Sequence, residues 1–168
     1  MKTKFISVIL FLVFLALVGS CKRTLPDEEF TLIKTRYNGS VIHMNGCYIS
    51  DPYELNDYCV YSFFYSNGVY FALSDKLNIR NIFNFTGGID NRRSDKSSWG
   101  LFQISNDTIK VQVWKMSDVS TQFIVQNRIY KIINDTTLSI DILNDGDINY
   151  YHFKKFTPKP DSTNVFIK

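Results

Sequence analysis

Few residues of this chain have the types and spacing that chemistry demands. It has two histidines, His43 and His152, far apart and each inside a β-rich run. A metal or acid–base site needs several convergent ligands, or a base with an orienting partner, so both read as ordinary strand residues. The acidic stretch 141–147 has the outline of a calcium loop. Aligning Asp145-Gly146 with the EF-hand pattern, however, puts Leu143 at an oxygen-ligand position and His152 where the bidentate glutamate belongs. A polar hairpin turn fits better. Gly87-Gly88 precedes no Lys-Ser or Lys-Thr, which leaves a phosphate cradle unsupported, and no Gly-x-Ser-x-Gly elbow occurs. No set of acid, base and nucleophile emerges. The chain does not read as an enzyme, and no metal or cofactor is expected.

Two features remain. The first is a pair of cysteines, Cys47 and Cys59, on either side of a short segment containing Pro52 and Asn56-Asp57. A disulfide between them would close a 13-residue loop, worth about 3 kcal/mol in the chain-entropy model. The other reading is two buried thiols packing as small apolar groups. The second feature is an excess of aromatics, with 14 Phe, 10 Tyr and 2 Trp. Tyr58, Tyr61, Phe63, Phe64, Tyr65, Tyr70 and Phe71 cluster across consecutive hairpins. In a small barrel such residues fill the interior. The functional reading is a pocket for a small hydrophobic or glycan ligand, with Tyr61, Phe63, Tyr65, Tyr70 and Trp114 as its candidate lining.

The N-terminus carries an address. Lys2 and Lys4 precede a nearly unbroken apolar run from Phe5 to Val18. About 20 residues are needed to cross a bilayer as a helix, so this run fits a signal segment better than a membrane anchor. It ends in Val18-Gly19-Ser20-Cys21, which resembles the lipobox of bacterial lipoproteins. The resemblance implies cleavage before Cys21, acylation of its sulfur and amino group, and attachment to the cell envelope, with the outer membrane as the expected location on either its periplasmic or its outer face. Without Lys2 and Lys4 the 19 basic residues fall to 17 against 16 acidic, a net of +1. No strongly basic face is expected, and a nucleic-acid partner is not. Residues 1–20 read as signal peptide, 21–36 as a flexible tether containing Pro26 and Asp27-Glu28-Glu29, and 37–168 as one domain.

Within that domain, turn signals alternate with β-rich runs. Asn67-Gly68 separates runs 61–65 and 69–71 and favours a type I′ hairpin. Asn106-Asp107 separates 99–104 from 108–114, where Ile109, Val111 and Val113 alternate with Lys110 and Gln112 as in a half-buried strand. Asn134-Asp135 separates 123–133 from 137–142, and Asn144-Asp145-Gly146 precedes 148–156. An earlier strand is expected over 40–49. Residues 74–98 read as a long connection with a helical turn near 75–82. The expected fold is all-β: an antiparallel meander of about eight strands closing into a small barrel, because closure removes exposed edges.

On Asn45-Gly46-Cys47-Tyr48, the succession of hairpins and the closing run 151–164, the chain resembles small lipocalin-like lipoproteins of the Bacteroidetes. The resemblance implies a lipocalin-like barrel over about residues 40–168. The expected function is non-catalytic binding by a monomer at the membrane. One reading is a small hydrophobic or glycan ligand inside the barrel. The alternative is an interaction, inhibitor or accessory lipoprotein of the envelope whose barrel is filled.

Overall fold

The computed structural model describes residues 25–52, 58–76, 93–141, 146–155 and 157–168. Cys21 and the segment 1–20 lie outside the described residues, as does most of the expected connection and helical turn beyond Lys76.

Eight strands are found among the described residues: β1 (Gly46–Ser50), β2 (Tyr58–Phe64), β3 (Val69–Lys76), β4 (Trp99–Ser105), β5 (Thr108–Met116), β6 (Phe123–Asn134), β7 (Thr137–Asp141) and β8 (Ile148–Lys155). Each pairs antiparallel with the next, and β8 returns to β1. The expected all-β meander therefore closes as a small lipocalin-like barrel. A 3-10 turn at Lys96–Ser98, capped by Asp95, leads into β4.

Period-two alternation decides which side chains fill the barrel. Tyr48 of β1, Phe64 of β2, Tyr70 of β3, Phe102 of β4, Val111 of β5, Tyr130 of β6, Leu138 of β7 and Tyr151 of β8 belong to one buried cluster, the barrel interior. Their rings meet directly. Phe64 is edge-on to Tyr48 and Phe102 at centroid distances of 5.8 and 5.1 Å, and Tyr130 is edge-on to Tyr151 at 5.3 Å. Aromatic pairs favour such geometry. Gly100 lets β4 approach β5 closely, since a Cβ there would lie 2.2 Å from the Gln112 carbonyl oxygen.

A second buried cluster lies on the opposite face of β1–β4: Cys47, Cys59, Tyr61, Phe63, Tyr65, Val69, Phe71, Leu73 and Trp99. The C-terminal segment 157–168 runs over this wall. Phe166 and Ile167 pack against the cluster, Asn67 Nδ2 donates to Ser162 Oγ at 2.9 Å, and Lys159 Nζ donates to the Met44 and Phe64 carbonyls at 2.7 and 2.6 Å. The aromatic excess thus serves two cores, one inside the barrel and one outside it.

Four expectations are corrected. The Asn67-Gly68 turn is not type I′, because only Gly68 has a positive φ, at 83°. Gly68 N–H donates to the Tyr65 carbonyl and Tyr65 N–H to the Val69 carbonyl. The loop is therefore a three-residue turn ending in a left-handed glycine, the next most common hairpin. The first strand is shorter than expected and begins at Gly46, which leaves His43 outside it. A Cys47–Cys59 disulfide is excluded by register. Tyr48 opposes Ser62 and Ile49 opposes Tyr61, so the two cysteines stand four positions out of step, about 13 Å along the ladder. A disulfide needs Cα atoms within roughly 7 Å. Both are buried thiols.

The fourth correction concerns the tether. Residues from Pro26 onward are strapped to the barrel. Glu28 N–H donates to the Phe123 carbonyl at 2.9 Å, and the Asp27 and Glu28 carboxylates accept from the backbone N–H groups of Phe123 and Val125 at 2.8 and 2.6 Å. Further on, the buried Gln112 side chain accepts from Thr31 and Leu32 N–H at 2.9 and 2.8 Å and donates to Thr31 Oγ1 and Asn127 Oδ1. An acidic run that reads as a solvated spacer supplies acceptors to a strand edge.

Candidate functional site

The five candidate pocket aromatics do not meet. Tyr61, Phe63 and Tyr65 belong to the outer cluster under the C-terminal segment. Tyr70 opposes Phe64 and belongs to the interior. Trp114 stands on the outer face of β5, where its ring has Phe30 at 4.0 Å and the Lys96 ammonium at 4.4 Å, and its Nε1 donates to the Glu28 carbonyl. A groove of about 570 Å3 runs beside it, lined by Phe30, Lys96 and Phe166 among others. The ring itself is taken by the chain's own groups and offers no bare stacking face. The cause of the dispersal is parity: Tyr61, Phe63 and Tyr65 share one face of β2 and its turn, while Tyr70 faces the other way.

Among the described residues the barrel centre holds a hydroxyl chain. Ser62 Oγ and Tyr70 OH are 2.9 Å apart, and Tyr70 OH and Tyr130 OH 3.1 Å. Burial, and then Tyr130 beside it, push the Tyr70 hydroxyl well above its ordinary range. Tyr48 is pushed up to about 12, chiefly by burial. Its hydroxyl accepts from His43 N–H and donates to the Asp135 carbonyl. Tyr70 and Tyr48 stay protonated and act as paired core groups.

An opening lies instead in the wall. β6 pairs with β5 from Phe123 to Lys131 but with β7 only at Lys131, Ile132 and Asn134, where the register shifts. Before Lys131 the two strands have no common ladder, and a crevice of about 560 Å3 opens there. Gln126, Arg128, Ile129, Ile140, Asp141 and Ile148 are among its lining residues. Arg128 opposes Val111 and so points inward, with Tyr70, Tyr130 and Tyr151 close enough to bear on its charge. Gln126 Oε1 accepts from its Nη2 at 3.1 Å. Asp141 Oδ2 accepts from Gly146 N–H at 3.1 Å, while Oδ1 is buried with no hydrogen-bond partner.

Sequence reasoning missed Arg128 and Asp141. For Arg128 a signal was present: it shares parity with Tyr130 and Ile132, so a strand burying those two residues turns Arg128 inward as well. Asp141 gave none, because its role depends on where β7 leaves β6.

The histidines stand at the surface. His43 Nε2 is 3.3 Å from Asp135 and His152 Nε2 is 3.5 Å from Asp51. Among the described residues no group of three His, Cys, Asp or Glu side chains is placed to hold a metal ion.

Comparison of the chain with models of protein families, with curated proteins and with solved structures yields no match.

Proposed function

We propose that this protein is a lipid-anchored lipoprotein of a bacterial envelope that works by non-catalytic binding, with its barrel as a filled scaffold and the β6–β8 wall as the face that meets another envelope protein. The observation that carries this reading is the packed interior. Tyr48, Phe64, Tyr70, Tyr130 and Phe102 are at most 2% exposed and fill the space a lipid tail or sugar would need. Outside, four of the eleven exposed large apolar residues among those described, Ile129, Ile133, Ile148 and Tyr150, lie on β6 or β8 and are 41–61% exposed. Exposed apolar groups gathered on one face mark interaction surfaces. The lipobox-like Val18-Gly19-Ser20-Cys21 supports the anchor, since two or more acyl chains hold a protein at a bilayer firmly.

Photo-crosslinking in whole cells tests the face. A crosslinker at Ile148 or Ile129 should capture one recurrent envelope protein, and one at Lys110 on β5 should not. Equal capture from both walls, or none from β6–β8, overturns the reading. So does native mass spectrometry that finds an apolar molecule held within the barrel. Cys21→Ala should move the protein out of the membrane fraction, and its retention there removes the anchor.

A further inference from the structure

The crevice between β6 and β7 holds two groups whose needs are unmet. Arg128 brings a guanidinium into a partly buried site where its hydrogen bonds go to neutral groups, Gln126 Oε1 at 3.1 Å and the Tyr130 hydroxyl. Asp141 brings a carboxylate oxygen that is buried and accepts nothing. Neither is ion-paired, with the other or with any other described residue. A charge removed from water without a counter-charge is costly, and an unsatisfied buried acceptor costs its full desolvation. The two line one space of about 560 Å3. That volume falls within the range of small-molecule sites. The rest of the lining is mixed: Ile129, Ile140 and Ile148 are apolar, while Gln126, Asn127, Lys131 and Ser139 are polar.

We propose that this crevice is a binding site for a small zwitterion with an apolar side chain, an α-amino acid or the shortest peptides. Its carboxylate lies against the Arg128 guanidinium, where a two-oxygen acceptor matches the planar fork of donors. Its ammonium lies against the Asp141 carboxylate. Its side chain lies along Ile129, Ile140 and Ile148. The site needs only the crevice, and it stands or falls independently of any protein docked on the same wall.

The test is calorimetric titration of the full chain, solubilised from membranes in detergent, with three probes of one shape. L-leucine carries both charges, 4-methylpentanoate lacks the amine and 3-methylbutylamine lacks the acid. Leucyl-leucine, as a fourth probe, separates a peptide site from a free amino acid site. Leucine or the dipeptide should bind saturably, with each single-charge probe weaker by roughly tenfold or more. Arg128→Met should abolish binding of leucine and of 4-methylpentanoate, with its thermal melting transition reporting that the barrel is still folded. Asp141→Asn leaves the interior untouched and gives the sharper readout: leucine weakens by about tenfold while 4-methylpentanoate is unchanged. The proposal is overturned if no probe saturates below about 10 mM, if folded Arg128→Met binds as the parent does, or if Asp141→Asn weakens the acid as much as the amino acid.

Discussion

The two sides of this barrel are built to different standards. On the β1–β4 side each strand is buried on both faces: Tyr48, Phe64 and Tyr70 inward, Cys47, Tyr61, Phe63, Phe71 and Trp99 outward beneath the C-terminal segment. On the β6–β8 side the inward face is buried and much of the outward face is exposed. Ile129 and Ile148 are left at the surface, and the β6–β7 ladder is three pairs long. The double-layered side carries stability and has no room for a ligand. The single-layered side gives up packing and gains an opening with an unneutralised Arg128 at its floor. Local stability and site formation compete for the same wall, and functional openings are drawn from the less stable end.

Measurements of unequal size would sharpen or break that comparison. The largest effect is expected from Phe71→Ala. Although Phe71 lies outside the barrel, its ring is fully buried, 4.6 Å from Trp99 and 5.8 Å from Phe63. Its removal should cost about 3–5 kcal/mol in urea unfolding, against less than about 0.5 kcal/mol for Ile148→Ala on the open wall. Equal losses would erase the distinction between the walls. Next comes Gln112→Ala, which removes three hydrogen bonds between the N-terminal strap and β5 and a fourth from β5 to Asn127 on β6. It should cost about 1–3 kcal/mol and speed hydrogen exchange at the Thr31 and Leu32 amides. Unchanged exchange there would mean that the strap is held by other contacts.

A smaller effect depends on pH. Burial pulls the Lys159 ammonium from its usual 10.5 down to about 8. Between those values the unfolded chain keeps a proton that the folded chain has released, so stability should rise as pH climbs from 8 toward 10.5. The rise is on the order of 1 kcal/mol between pH 8 and 9, and Lys159→Met should lack it. Cys47 has the opposite sign. Burial pushes its thiol from 9.0 up to about 12, so its contribution is complete below pH 9 and drains away as pH rises toward 12. A flat difference between parent and Lys159→Met from pH 7 to 9 would show that the ammonium is solvated and that the double-layered wall is looser than drawn. The smallest effect is expected at the exposed Lys115–Asp118 pair, 3.3 Å apart. Asp118→Asn should change stability by no more than about 0.5 kcal/mol.

Local alternation made the barrel readable. Ile109, Val111 and Val113 face inward as their spacing with Lys110 and Gln112 suggested, and the turns at Asn106-Asp107 and Asn134-Asp135 fall between the strands they were expected to join. What stayed hidden depends on groups distant in sequence. Nothing local says that the outward face of β2 is covered by Phe166 and Ile167, so Tyr61 and Phe63 look like pocket residues when they are core. Nothing in Asp27-Glu28-Glu29 announces that two of its carboxylates accept from β6. The crevice is a matter of register, since it exists because β7 is short and leaves β6 after Asn134–Lys131. The lipobox resemblance, by contrast, rests on Val18-Gly19-Ser20-Cys21 alone, and the barrel neither adds to it nor detracts from it.

The docked strap also sets a distance. Were residues 21–36 an unattached leash, the domain could drift about 50 Å from an acylated Cys21. Because Asp27 is already fastened to β6 and Lys96, six peptide units remain, about 20 Å at full stretch. With the proposed acyl anchor in place, a domain on so short a stalk would ride close over the lipid headgroups and turn about one fixed corner, and it would meet only those neighbours that come to the bilayer surface.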